Sequence, residues 1–164
     1  NAYAQDNEIS WLDWSKVDDE MLAFCRQLSA FRARHPVLRR RRFLEGSPTD
    51  LSPHEDLAWF APDGTPMTPE RWWSGDPRAV GYVLNGAAIT EPGPHGERIV
   101  DDSLYVAVNG GADDLGFVLP DDHWARRWVR TIDTATGRIE PGEEVAAGER
   151  FEVGGRSIVV LVAQ

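Results

Sequence analysis

The sequence predicts a mainly β fold, an antiparallel β-sandwich preceded by one amphipathic helix. Three observations predict it. Near the N-terminal end, apolar residues recur at the three- and four-residue spacing of a helix. After Pro36 the pattern changes to short runs of β-branched and aromatic residues. Those runs are separated by Gly, Pro, Asn and Asp, the residues whose backbone preferences make turns.

The helix is predicted over residues 17–34. Met21, Phe24, Cys25, Leu28 and Phe31 form one apolar stripe that must be buried against something, and Cys25 on that stripe reads as a small core residue. Ser15 stands at the N-cap position. Asp18, Asp19 and Glu20 occupy the first turn and Arg32, Arg34 and His35 the last, as the helix dipole favours. Pro36 ends the helix, since the residue before a proline disfavours the α region. Strands are then predicted over residues 57–60, 80–84, 104–108, 116–119, 124–132, 150–153 and 157–162. Between them lie Pro62-Asp63-Gly64, Asn85-Gly86, Asn109-Gly110-Gly111, Pro141-Gly142 and Gly154-Gly155. Thr68-Pro69 reads as the cap and first residue of a short helix. Residues 87–102, rich in Pro, Gly and charge, read as a long surface loop. One helix followed only by strands leaves the helical stripe uncovered, so further chain is expected upstream.

Composition narrows the function classes. Asp and Glu outnumber Lys and Arg by 27 to 17, and the resulting negative field disfavours nucleic acid or an anionic membrane as partner. A neutral ligand such as a sugar remains open. No apolar run approaches the roughly 20 residues of a membrane-spanning helix. Asn1 to Asp6 does not read as a signal peptide, and a start of this kind suggests excision from a longer chain. Cys25 is the only cysteine, which excludes an internal disulfide and suits a reducing, cytoplasmic compartment.

The opening residues, Asn1-Ala2-Tyr3-Ala4-Gln5-Asp6-Asn7-Glu8-Ile9-Ser10-Trp11-Leu12-Asp13-Trp14, resemble the segment after the last barrel strand in bacterial glycogen debranching enzymes of the isoamylase type, in the α-amylase superfamily. Ala4 stands where that family usually has Cys. The resemblance continues through Phe31-Arg32-Ala33-Arg34-His35-Pro36, Asp56-Leu57-Ala58-Trp59-Phe60, Val83-Leu84-Asn85-Gly86 and Val100-Asp101-Asp102-Ser103. It implies that residues 1–36 are the end of a (β/α)8 catalytic barrel, its last loop and final helix, and that residues 37–164 are the C-terminal β-sandwich domain. It further implies hydrolysis of α-1,6 branch linkages in glycogen or limit dextrin by two carboxylates and a supporting third. All three are expected upstream of Asn1. No catalytic residue is therefore expected in this chain, which alone should be inactive, and no cofactor is expected. The implied partners are branched α-glucan and the missing barrel of the same polypeptide. A stand-alone, non-catalytic carbohydrate-binding module is the alternative.

Within this frame Asp6 is the candidate sugar contact, because a carboxylate accepts two hydrogen bonds from vicinal hydroxyls. Tyr3 would lend a ring face and Asn7 an amide. The competing reading is that these groups satisfy one another and the local backbone. Trp11 and Trp14, three apart, read as a packing anchor between barrel and tail. Trp72 and Trp73, with Trp59 near in sequence, are candidates for a sugar platform, although core packing competes and at most one of the adjacent pair is expected to be exposed. Arg39 to Arg42 read as a solvated or ion-paired strand edge rather than a nucleic-acid site. His35, His54, His95 and His123 are isolated in sequence, and no metal site is expected; the Asp101-Asp102, Asp113-Asp114 and Asp121-Asp122 doublets read as solvated turn acids.

Overall fold

The computed structural model describes residues 2–74 and 78–164. Helix α1 (Asp19–Arg34) follows two short 3-10 turns, and a further 3-10 turn, Pro36–Arg39, follows it. The strands are β1 (Pro48–Thr49), β2 (Ser52–Glu55), β3 (Leu57–Phe60), β4 (Ala79–Leu84), β5 (Leu104–Asn109), β6 (Leu115–Val118), β7 (Arg127–Asp133), β8 (Arg138–Ile139), β9 (Glu144–Ala146), β10 (Arg150–Val153) and β11 (Ser157–Ala163). A single helical turn, α2 (Pro69–Trp72), lies between β3 and β4.

The sandwich is antiparallel and has unequal layers. Its main sheet runs β3-β4-β5-β11-β7-β8, with β9 also paired to β7. Strands β6 and β10 form a separate ribbon. Alternation along β11 shows how both faces of the sheet are used. Val159 and Leu161 join Tyr105, Trp128, Phe117 and Phe151 in the core beneath the β6/β10 ribbon. Val160 and Val162 point the other way, toward Phe31, Val37, Leu104 and Ile132. The last turn of α1 thus covers the second face.

Most predicted strands fall within a residue of the observed bounds. The run predicted from residue 124 begins instead at Arg127, because the amides of His123 and Trp124 turn back onto Asp121. Strands β1, β2, β8 and β9 were not foreseen: they are two to four residues long and lack an apolar run. Residues 87–102 are not wholly a surface loop, since Ala88, Ile89 and Glu91 are buried beneath it.

Helix α1 ends as expected at His35, but Asp18, not Ser15, is its cap. The Asp18 carboxylate accepts the Met21 amide at 2.9 Å, whereas Ser15 sits in a 3-10 turn capped by Asp13. The expected buried stripe is also corrected. Phe31 alone in α1 is buried; Met21 is 56% and Leu28 40% exposed, and Cys25 is exposed rather than in a core. Only the C-terminal turn of the helix reaches the sheet.

Candidate functional site

Residues 5–11 form a tight polar turn. Asp6 Oδ1 accepts the Trp11 indole N–H at 2.7 Å, Asn7 Nδ2 donates to Gln5 Oε1 at 3.0 Å, and Asn7 Oδ1 accepts the Ile9 amide at 3.1 Å. Asp6 remains exposed, with its second carboxylate oxygen outside any hydrogen bond of this turn. Tyr3 is 91% exposed, and it and Ala4 hold φ of 54° and 56°. Left-handed backbone costs a residue with a Cβ roughly 1–2 kcal/mol, so surroundings must hold this bend. Beyond the turn, Ile9, Trp11, Leu12 and Trp14 are 63% exposed or more, continuous in sequence with the exposed side of α1. Trp11 braces its own turn through Asp6, and Trp14 is 71% exposed.

A clamp joins α1 to the rest of the chain. Asp101 takes the His35 Nδ1 at 3.0 Å on one oxygen and the Val37 amide at 2.9 Å on the other. Asp101 is therefore a part-buried latch and not a solvated turn acid. Asp102 brings a third potential ligand within 4.8 Å, but the latch already occupies Asp101. The arginine run is likewise no strand edge. Arg39 closes a 3-10 turn, and the buried Arg40 guanidinium pairs with Asp56 at 3.1 Å and Glu91 at 3.5 Å. Glu91 Oε1 also accepts the amides of Arg41 and Arg42. Burial pushes the Glu91 carboxyl up, yet those amides and the Arg40 charge together hold it below its ordinary value.

The tryptophans form a cleft that local spacing did not reveal. Trp59 on β3 and Trp72 on α2 meet edge to face at 5.5 Å, and both are part-exposed, at 38% and 41%. With Trp124 and His123 they line an open cleft of about 500 Å³ whose lining also includes Glu55 and Asp121. His54 packs edge-on against His123 at 3.8 Å and lies 5.7 Å from Trp124. Two histidines read as isolated are thus neighbours. Trp73 is 87% exposed and lies outside the cleft lining. Both members of the Trp72-Trp73 pair are therefore exposed, against the expectation of at most one, because α2 is a single turn on the surface. Position on the surface is fixed by Arg71, whose guanidinium makes two 3.1 Å bonds to Asp63.

Comparison with known proteins decides the family. The model of the family described as "Isoamylase, C-terminal" matches residues 56–162. The chain belongs to that family. Among its relatives, the glycogen operon protein GlgX homolog of Mycobacterium tuberculosis is 43% identical over 98% of this chain, which covers 23% of that protein. Isoamylase of Flavobacterium sp. is 29% identical over the whole chain and 22% of its own length. A glycogen debranching enzyme of Cronobacter sakazakii is 31% identical over 76% of the chain. The chain therefore spans less than a quarter of these relatives, matching their C-terminal part. Pullulanase type I from Bacillus subtilis, solved with maltose, shares the fold with a TM-score of 0.57 over 95% of this chain and 18% of its own, at 18% identity. The match to the family model begins at residue 56, so the exposed N-terminal face lies outside it.

Proposed function

We propose that this isoamylase C-terminal chain is the tail of a glycogen debranching enzyme and that the barrel of the same polypeptide hydrolyses α-1,6 branch linkages in glycogen or limit dextrin. One observation carries the proposal: the apolar side chains of Ile9, Trp11, Leu12, Trp14, Val17, Met21 and Leu28 are all at least 40% exposed. Large apolar side chains left exposed along one stretch of sequence support an interface there, and a barrel end is the occupant that family membership supports. Residues 1–36 then belong with the barrel, and residues 37–164 form the β-sandwich that seals it. Within the described residues no helix is long and apolar enough to cross a membrane. The lone, unpaired Cys25 supports a reducing cytoplasm.

In that assembly Tyr3, Asp6 and Asn7 contribute sugar contacts beside the catalytic carboxylates, which lie outside this chain. Asp6 keeps an oxygen for a hydroxyl while its other oxygen is positioned by Trp11. The test is a graft. Joined in place of the corresponding C-terminal part of the Mycobacterium tuberculosis relative, the chain should sustain release of linear chains from glycogen, and Asp6→Ala in the graft should weaken substrate binding. The purified chain alone should release none; measurable release from it would refute the proposal.

A further inference from the structure

We propose that the cleft between β3, α2 and the turn before β7 is a second binding site for an α-glucan chain, remote in sequence from the Tyr3–Asn7 segment. This rests on the reading of the chain as part of a glucan-processing protein. A pyranose ring presents C–H groups on its faces and hydroxyls around its rim, so a protein site for it combines flat aromatic surface with nearby hydrogen-bonding groups. The cleft supplies both. Trp59, Trp72 and Trp124 give aromatic surface, and the near-perpendicular contact of Trp59 with Trp72, 79° between planes, turns the two indoles to different walls. His123 and Glu55 share the lining, and His54 packs against His123 from outside it. Among the described residues no hydrogen bond engages any of these three side chains.

The size and charge fit the same occupant. About 500 Å³ lies within the range of ligand clefts and admits more than one sugar ring. Glu55 and Asp121 in the lining, in a chain of net charge −10, disfavour a phosphorylated or otherwise anionic ligand. The walls of the cleft are braced from behind. Trp59 is backed by Tyr82 at 5.1 Å and Trp124 by Phe60 at 6.1 Å, while the Arg71–Asp63 pair fixes the turn that carries Trp72. A preformed site loses little freedom on binding. The platform expected of Trp72 and Trp73 thereby narrows to Trp72, with Trp59 and Trp124 as its partners.

Native electrophoresis of the 164-residue chain in gels cast with and without glycogen tests the site. Glycogen should retard the chain, and Trp72→Ala or His123→Ala, both at exposed positions, should each weaken retention about tenfold, the scale of one lost aromatic contact. Trp73→Ala should leave retention unchanged. Trp59→Ala should match Trp72→Ala, with thermal melting to confirm that it folds. Absence of retardation in the unmutated chain, retention that survives both Trp72→Ala and His123→Ala, or loss on Trp73→Ala alone would overturn the site. Branch hydrolysis by the graft is scored separately, so an overturned cleft beside an active graft removes the second site and leaves the proposed function standing.

Discussion

At the scale of single residues, the core holds one unusual accommodation. Tyr105 is fully buried, its hydroxyl has no hydrogen-bond partner among the described residues, and it occupies the space a Cβ on Gly81 would need. Burial accordingly raises the Tyr105 phenol well above its ordinary value. Because an unsatisfied buried hydroxyl costs about 1–3 kcal/mol, Tyr105→Phe should leave stability unchanged or raise it by about 1 kcal/mol in urea unfolding. Gly81→Ala should lose about 1–3 kcal/mol through overpacking, and the double variant should recover part of that loss. Arg40 is the opposite case. Removing it by Arg40→Met strands the buried Asp56 and Glu91 carboxylates, and a loss of about 3–5 kcal/mol is expected in the same measurement. At the surface, hydrogen bonds from Arg71 and Thr65 pull the Asp63 carboxyl down to about 2. A depressed carboxylate contributes stability above its unfolded value, and that contribution fades as pH falls from about 4 through 2. Side-chain NMR should place the Asp63 midpoint near 2, and Arg71→Met should return it toward about 4. The pair is more than a third exposed, so its share of stability is small.

At the scale of elements, periodicity made α1 and the longer strands legible, since Val159, Val160, Leu161 and Val162 simply alternate between two cores. What it did not reveal was what covers each face. The stripe of α1 looks like any core-facing stripe, yet only Phe31 is covered within this chain, because a spacing reports the need for a partner and not its identity. Side-chain pairs distant in sequence were equally invisible. His54 and His123 meet because β2 and the turn before β7 come together, and His35 finds Asp101 across 66 residues. That latch carries a prediction of its own. Asp101→Ala removes both bonds that hold the end of α1 and should destabilise its docking by about 1.5–3 kcal/mol per charge-assisted bond lost, seen as faster amide exchange over the last turn of α1 with β11 unchanged.

For the whole molecule, a sandwich with two closed cores carries an N-terminal extension that is open. The two cores lie on either side of the main sheet, the second of them including Phe31 of α1, while Trp11, Leu12, Trp14 and Met21 present their side chains outward. Isoamylase C-terminal membership was legible from the opening residues and the turns that follow. The Trp59, Trp72 and Trp124 cleft was only half legible, because Trp124 comes from a distant turn and nothing local separates Trp72, in the lining, from Trp73, outside it. The central claim is that a barrel covers the open face. Hydrogen–deuterium exchange over residues 9–28 measures it most directly, in the isolated chain and in the graft onto the mycobacterial relative. Fast exchange in the isolated chain and at least tenfold slower exchange in the graft is the predicted result; equally fast exchange in both would contradict it.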